Sequence, residues 1–374
     1  MKSLLNKVVL LAGLLFFGAC ALVGAQTLHT EEVEFRLTMV TDSLNHPWAV
    51  AFLPDGDYLV SERRGRLYRV RSNGSRSQLA GVPDVSSGGQ GGLLDVVLHP
   101  DFAKNNWVYL SYARPVSGGA ATALGRGRLQ GDELQDFEHL FTAQPGRSGG
   151  RHFGSRIVFD HDGYVYLTIG DRGDMDSAQD PANHQGTTVR LYDDGSVPQD
   201  NPFFGQVDYR PEIYTYGNRN AQGMIVHPET GDIWQNEHGP QGGDELNLIR
   251  GGLNYGWPVV TTGEQYGGGR IGIGESHESM EDPVVDWTPS IAPSGMAYYG
   301  GEQFPAWHGN FFIGALAGQH LRRVVLEGNE VVHQEELLSG RVGRIRDVRS
   351  SPDGYLYLLT DSASGVLYRL EPVD

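Results

Sequence analysis

A turn motif that recurs six times restricts this chain's fold more than any other feature. Leu53-Pro54-Asp55-Gly56-Asp57 runs into the strand-like Tyr58-Leu59-Val60, and Leu98-His99-Pro100-Asp101-Phe102 leads to Trp107-Val108-Tyr109-Leu110. Phe159-Asp160-His161-Asp162-Gly163 precedes Tyr164-Val165-Tyr166-Leu167, and Val226-His227-Pro228-Glu229-Thr230-Gly231 precedes Asp232-Ile233-Trp234. Trp307-His308-Gly309-Asn310 before Phe311-Phe312-Ile313 is a weaker copy, and Ser351-Pro352-Asp353-Gly354 before Tyr355-Leu356-Tyr357-Leu358 is the last. Pro and Asp-Gly set a tight turn, and an aromatic-rich alternating strand follows each time. Helix-period stretches are nearly absent. Units of this kind recurring every 45 to 80 residues or so read as propeller blades. The expectation is therefore an all-β, six-bladed β-propeller forming one domain over residues 26–374, with a pair of β-sandwiches as the alternative. Residues 114–156, 170–222 and 236–295 are expected as Gly-rich loops on the face that carries a site.

Composition agrees with a turn-rich globular chain. Gly makes 52 of 374 residues, about twice the usual share, yet 39% of the chain is apolar, enough for a large core. The formal charge of −17 argues against nucleic acid as a partner, since such binders carry a basic stripe. Residues 1–25 read as a cleaved signal peptide: Lys2 and Lys7 precede an apolar run from Val8 to Phe17, and Val23-Gly24-Ala25 is a small-residue cleavage site. A lipoprotein anchor at Cys20 is the weaker reading, because Ala21-Leu22-Val23 continue apolar. The mature chain is then periplasmic or secreted, without cysteine, and no later stretch is apolar enough for a transmembrane segment. Only Lys104 remains among lysines, and no P-loop is present.

Few residues outside the repeat stand out chemically. Gly146-Arg147-Ser148-Gly149-Gly150 has the spacing of a hydrolase nucleophile elbow but lacks the following helix pattern. Arg172-Gly173-Asp174 and the sequon Asn73-Gly74-Ser75 are weak signals. His46, His99 and His227 each precede Pro and read as structural. His152 sits among glycines before a strand, where an imidazole can act as a base near neutral pH. Glu237, Asp244 and Glu245, with carbonyls near Gly239 and Pro240, are oxygen donors suited to Ca²⁺. Arg344 and Arg346 share one side of a strand, so an anion or carboxylate should lie between them.

Together these segments resemble the soluble quinoprotein aldose dehydrogenases of the glucose/sorbosone dehydrogenase family. The resemblance rests on Gly89-Gln90-Gly91-Gly92-Leu93-Leu94, Arg151-His152-Phe153-Gly154-Ser155-Arg156, Tyr216-Gly217-Asn218-Arg219-Asn220, Glu237-His238-Gly239-Pro240, Asn254-Tyr255-Gly256-Trp257-Pro258 and Arg344-Ile345-Arg346-Asp347-Val348. It implies a propeller that binds pyrroloquinoline quinone (PQQ) and Ca²⁺ and oxidises the anomeric carbon of aldose sugars to lactones. His152 would be the base as hydride passes to PQQ, and Arg219 would polarise the quinone with Asn220 beside it. Gln90 and Arg151 would lie on the substrate side. Arg344 and Arg346 would pair with the cofactor, and the carbonyls of Gly239 and Pro240 would hold Ca²⁺, with Glu237, Asp244, Glu245 and Tyr255 as further metal candidates. Ala317 stands where many members have a cofactor-contacting Lys, with Gln319, His320 and Arg322 as nearby substitutes. Arg151 stands where glucose-preferring members have an acidic residue. The partners expected are an aldose and an external electron acceptor, for a monomer or dimer. The alternatives are a non-catalytic glycan- or protein-binding propeller and a Ca²⁺-dependent lactonase.

Overall fold

The computed structural model describes residues 26–373; the leader expected over 1–25, with Cys20, lies outside them. Six antiparallel sheets follow one another along the chain. Blade one holds Pro47–Phe52, Tyr58–Glu62, Arg66–Val70 and Arg76–Gln78. Blade two holds Leu93–Leu98, Trp107–Val116, Gly119–Gln130 and Glu133–Thr142. Blade three holds Ile157–Phe159, Val165–Ile169, Thr187–Leu191 and Ile213–Tyr216. Blade four holds Ala221–Val226, Ile233–Glu237, Asp244–Ile249 and Val285–Trp287. Blade five holds Pro293–Tyr298, Phe311–Ala315, Leu321–Glu327 and Glu330–Leu337. Blade six takes Ile345–Ser350, Leu356–Thr360 and Gly365–Pro372 from the C-terminus and Glu34–Leu44, with Leu28–His29 at its edge, from the N-terminus. Each blade's first strand packs against that of the next, and blade six returns to blade one. The six-bladed propeller is the expected one.

Every recurring turn joins a first strand to a second. Because the strands alternate in direction, all six turns lie on one face, and the entries to the first strands gather on the other with the second-to-third connections. The repeat therefore marks the face opposite the chemistry. Six apolar clusters fill the six interblade seams; Trp48, Leu59 and Leu110 lie between blades one and two, and Trp234, Met296 and Phe311 between four and five. A blade buried on both faces explains second strands such as Val165–Ile169 that are buried at every residue.

The expected loops are corrected in part. Within 114–156 two long strands run through most of the segment, and the third and fourth strands of blades three and four lie within 170–222 and 236–295. Gly125 and Gly127 mislead because they serve packing. Gly125 lies beneath Phe137, and a Cβ there would come 2.6 Å from the ring.

A charge-balanced cluster occupies the centre. Arg156 reaches Asp95 at 3.2 Å and Asp347 at 3.1 Å, and Arg349 reaches the same carboxylates at 2.6 and 2.8 Å. Both carboxylates also accept backbone N–H groups, from Ile157 and Val50. Two guanidinium groups and two carboxylates thus neutralise one another out of water. Above them Arg156 Nε donates to the Gln222 carbonyl, and the Gln222 side-chain oxygen accepts from Arg346 at 2.9 Å. The floor of the site rests on this network.

Candidate active site

On the entry face a cavity of about 320 Å³ is lined by Trp48, Gln90, Asn220, His238, Arg346 and Asp361, among others. A larger one, about 1050 Å³, opens on the opposite face among the recurring turns; Arg349 reaches it, already paired with Asp95 and Asp347. Convergent chemistry lies on the entry face.

His152 holds a left-handed backbone (φ 53°) on the way into blade three, a conformation a β-carbon disfavours. Gly170 makes room for it: a Cβ there would fall 2.2 Å from the His152 carbonyl. The His152 N–H donates to Gln90 Oε1 at 2.7 Å. Its Nδ1 lies 2.6 Å from Asp171 Oδ1. A carboxylate only accepts, so Nδ1 carries the proton and Nε2 keeps its lone pair. Asp171 is wholly buried and held by the Gly173 N–H at 2.7 Å and Trp257 Nε1 at 2.9 Å. Burial lowers the His152 pKa below its ordinary 6.5, Asp171 opposes this, and the charges of Arg219 and Arg151 add to the fall. The ring is held neutral with a fixed tautomer.

Arg219 and Asn220 enter blade four. Glu237 is buried and accepts from Asn218 Nδ2 at 2.7 Å and from the N–H groups of Arg219 and Asn220, which fixes the turn. The Arg219 guanidinium lies 5.3 Å from the Trp257 ring and donates to the carbonyls of His238 and Gly239 at 3.0 and 2.9 Å. It pairs with no carboxylate among the described residues, so its charge is available to an oxyanion. Asn220 Oδ1 accepts the Gly154 N–H at 3.1 Å. Burial, then Arg219 and Arg346, push His238 down to about 3, and its Nε2 donates to the Pro293 carbonyl.

The carboxylate demanded by two neighbouring guanidiniums is Asp361, from the second-to-third connection of blade six. Its Oδ2 accepts from Arg344 at 3.1 Å and lies 3.5 Å from Arg346. Burial brings Arg346 down to about 10.

The remaining candidates divide. Arg151 is exposed beside His152. Asp244 accepts from the N–H groups of Gly239, Ile291 and Ala292 and from Ser290, so its oxygens brace the Gly239-Pro240 loop. The Tyr255 hydroxyl donates to Leu248 and accepts from Arg250. Burial and the charge of Glu237 drive the Glu245 carboxyl well above its ordinary range. No cluster of three or more His, Cys, Asp or Glu side chains suited to a metal occurs among the described residues. The Ala317 N–H donates to Ile291, and Arg322 pairs with Glu336, away from the cavity. Ser148 sits in a loop with no helix after it, and Arg172 is buried over the Phe153 ring.

Asp171, Asp361 and the side chain of His238 were missed by sequence reasoning. Each follows a second strand by one or two residues, as Arg63 does in blade one. Aligning the six copies beyond their turns would have revealed them.

Residues 44–369 match the family model described as Glucose / Sorbosone dehydrogenase. The chain is 46% identical to the aldose sugar dehydrogenase YliI of Escherichia coli (strain K12), over 90% of this chain and 93% of the relative. Among solved structures it is similar to the apo-form of the soluble aldose sugar dehydrogenase from Escherichia coli, with a TM-score of 0.89 and 44% identity over 91% of this chain and 100% of the other. It is also similar to the PQQ-bound aldose sugar dehydrogenase from Streptomyces coelicolor, with a TM-score of 0.74 and 30% identity over 90% and 98% of the two chains.

Proposed function

The chain belongs to the glucose/sorbosone dehydrogenase family, and on that premise we propose that it oxidises the anomeric carbon of aldose sugars to lactones with PQQ as resident cofactor and Ca²⁺ beside it. The observation that carries the reading is the neutral His152, tautomer fixed by Asp171, on the same face as a cavity rich in guanidinium groups. PQQ is a flat polycarboxylate, and Arg344 and Arg346 offer it charge; the buried Arg346 Nε–H has no partner among the described residues. When bound, the quinone supplies the two-electron acceptor that ordinary side chains lack. The carbonyls of Gly239 and Pro240 are hard donors for Ca²⁺, with Arg219 already against the first of them.

The chain's own residues do the rest. His152 Nε2 accepts the proton of the sugar's C1 hydroxyl, and Asp171 stabilises the imidazolium that forms. Gln90, whose oxygen is taken by the His152 N–H, has its amide nitrogen left for the sugar, and Arg151 stands at the rim. Arg219 would offer its guanidinium to negative charge at the quinone, with Asn220 holding the neighbouring loop through the Gly154 N–H. Electrons then leave to an external acceptor, and a leader over 1–25 places the enzyme in the periplasm or outside the cell. A lactonase would need metal-ligating carboxylates in the channel, but Asp95 and Asp347 are spent on Arg156 and Arg349. The test is reconstitution. Apo-protein given PQQ and Ca²⁺ should gain dye-linked oxidation of aldoses, and no gain together with no PQQ binding by calorimetry defeats the reading.

A further inference from the structure

Arg63 follows strand Tyr58–Glu62 directly, at the blade-one position that corresponds to His238 in blade four and Asp361 in blade six. Its backbone is pinned on both sides: its N–H donates to His46 at 3.2 Å, and its carbonyl accepts from Leu93 at 3.1 Å. The residue lines the cavity together with Arg344 and Arg346. There Nη1 donates to the Gly89 carbonyl at 2.9 Å, while Nε is buried without a partner among the described residues. The carboxylate nearest in sequence is spent elsewhere, since Glu62 accepts the Asn45 N–H at 2.7 Å and pairs with Arg66 at 2.8 Å. Arg63 forms no ion pair among the described residues, whereas Arg344 and Arg346 share Asp361.

Three guanidinium groups thus face one carboxylate in one cavity. Their charge is felt at Asp361: burial alone would raise its pKa, yet Arg346, Arg63 and Arg344 hold it below the ordinary value. Two positive charges remain uncompensated, and charge-assisted pairing is strongest in such a partly dry setting. Nothing in the fold requires Arg63 to be cationic, because its one hydrogen bond goes to a neutral carbonyl.

We propose that Arg63 is a third guanidinium contact for a carboxylate of the bound quinone cofactor, completing a cationic cradle with Arg344 and Arg346. This rests on the functional reading above.

The experiment titrates PQQ, with Ca²⁺ present, into the mature chain and its Arg63→Gln and Arg63→Lys variants by calorimetry, and records melting curves with and without PQQ. Arg63→Gln should weaken PQQ binding about tenfold or more, and Arg63→Lys should recover part of the loss. The melting temperature of apo Arg63→Gln should not fall, since a repelling charge is removed, but its rise on adding PQQ should shrink. Wild-type affinity in Arg63→Gln overturns the proposal. So does a lowered apo melting temperature with undiminished affinity, which would mark Arg63 as structural, and so does a change confined to the KM of acidic sugars. If the unaltered chain takes up no PQQ, the functional reading falls and this role with it.

Discussion

Asp171 decides which nitrogen of His152 is free to take a proton. With Nδ1–H donated to a buried carboxylate, the nitrogen left for the proposed base is Nε2, and it can take a proton only while the ring is neutral. Because the pKa of His152 lies below 6.5, activity should be complete above that pH and decline as pH falls through the lowered value. The acid limb of kcat/KM measures this directly. His152→Ala should cost about 10²- to 10⁴-fold in kcat while PQQ still binds. Asp171 acts through His152 and is a positioning residue. Asp171→Asn removes the interaction that holds the His152 pKa up, so it should lower kcat and also move the acid limb to lower pH. A purely structural role would lower kcat and leave the limb in place. His152 stood out as a candidate because its glycine-rich setting is unusual for an imidazole, and Arg344 with Arg346 because alternation puts like charges together. Asp171 was not legible: it is one Asp among many, and only the folding of blade three brings it back onto His152, 19 residues before it.

Single strands and loops carry the next level of organisation. Strand Asp244–Ile249 begins with a carboxylate that ties three backbone N–H groups from two blades. It holds the Gly239-Pro240 loop, whose Gly239 carbonyl accepts from Arg219 and whose carbonyls are the proposed Ca²⁺ donors. Asp244→Ala leaves those donors without an acceptor, at about 1–3 kcal/mol each. Urea denaturation should show a loss of roughly 3 kcal/mol or more, and Ca²⁺-dependent PQQ affinity should weaken with it. Acidic residues in this loop read equally as metal ligands or as braces from sequence. The choice turns on whether backbone N–H groups point at them, which spacing does not encode. Glycine had the same double meaning. Gly56 and Gly354 adopt positive φ in the recurring turns, as their neighbours suggest, but Gly125 makes room for a ring one strand away.

At the scale of the whole molecule, closure depends on Glu34–Leu44 pairing with Gly365–Pro372. Phe35 from this strand belongs to the seam between blades five and six, and Leu44 to the seam between six and one. Removing residues 26–44 from the mature chain should lower the melting temperature and broaden the transition, since one blade loses its outer strand and two seams lose core. Removing residues 26–31 alone should leave both nearly unchanged; an equal loss from the shorter deletion would contradict closure by Glu34–Leu44. The ring also explains the site. The sequence by itself determined the blade count and the all-β character, because turns and alternating strands are local and repeat, and it supplied most of the residues proposed for the site. Tertiary structure alone decided the partners: Asp171 for His152, Asp361 for the arginine pair and Arg63 opposite them. The first two join the entry of a blade to that blade's own second-to-third connection, 19 and 15 to 17 residues further on, and depend on how the blade folds. Arg63 comes from blade one to face blade six, a juxtaposition that exists only once the ring has closed.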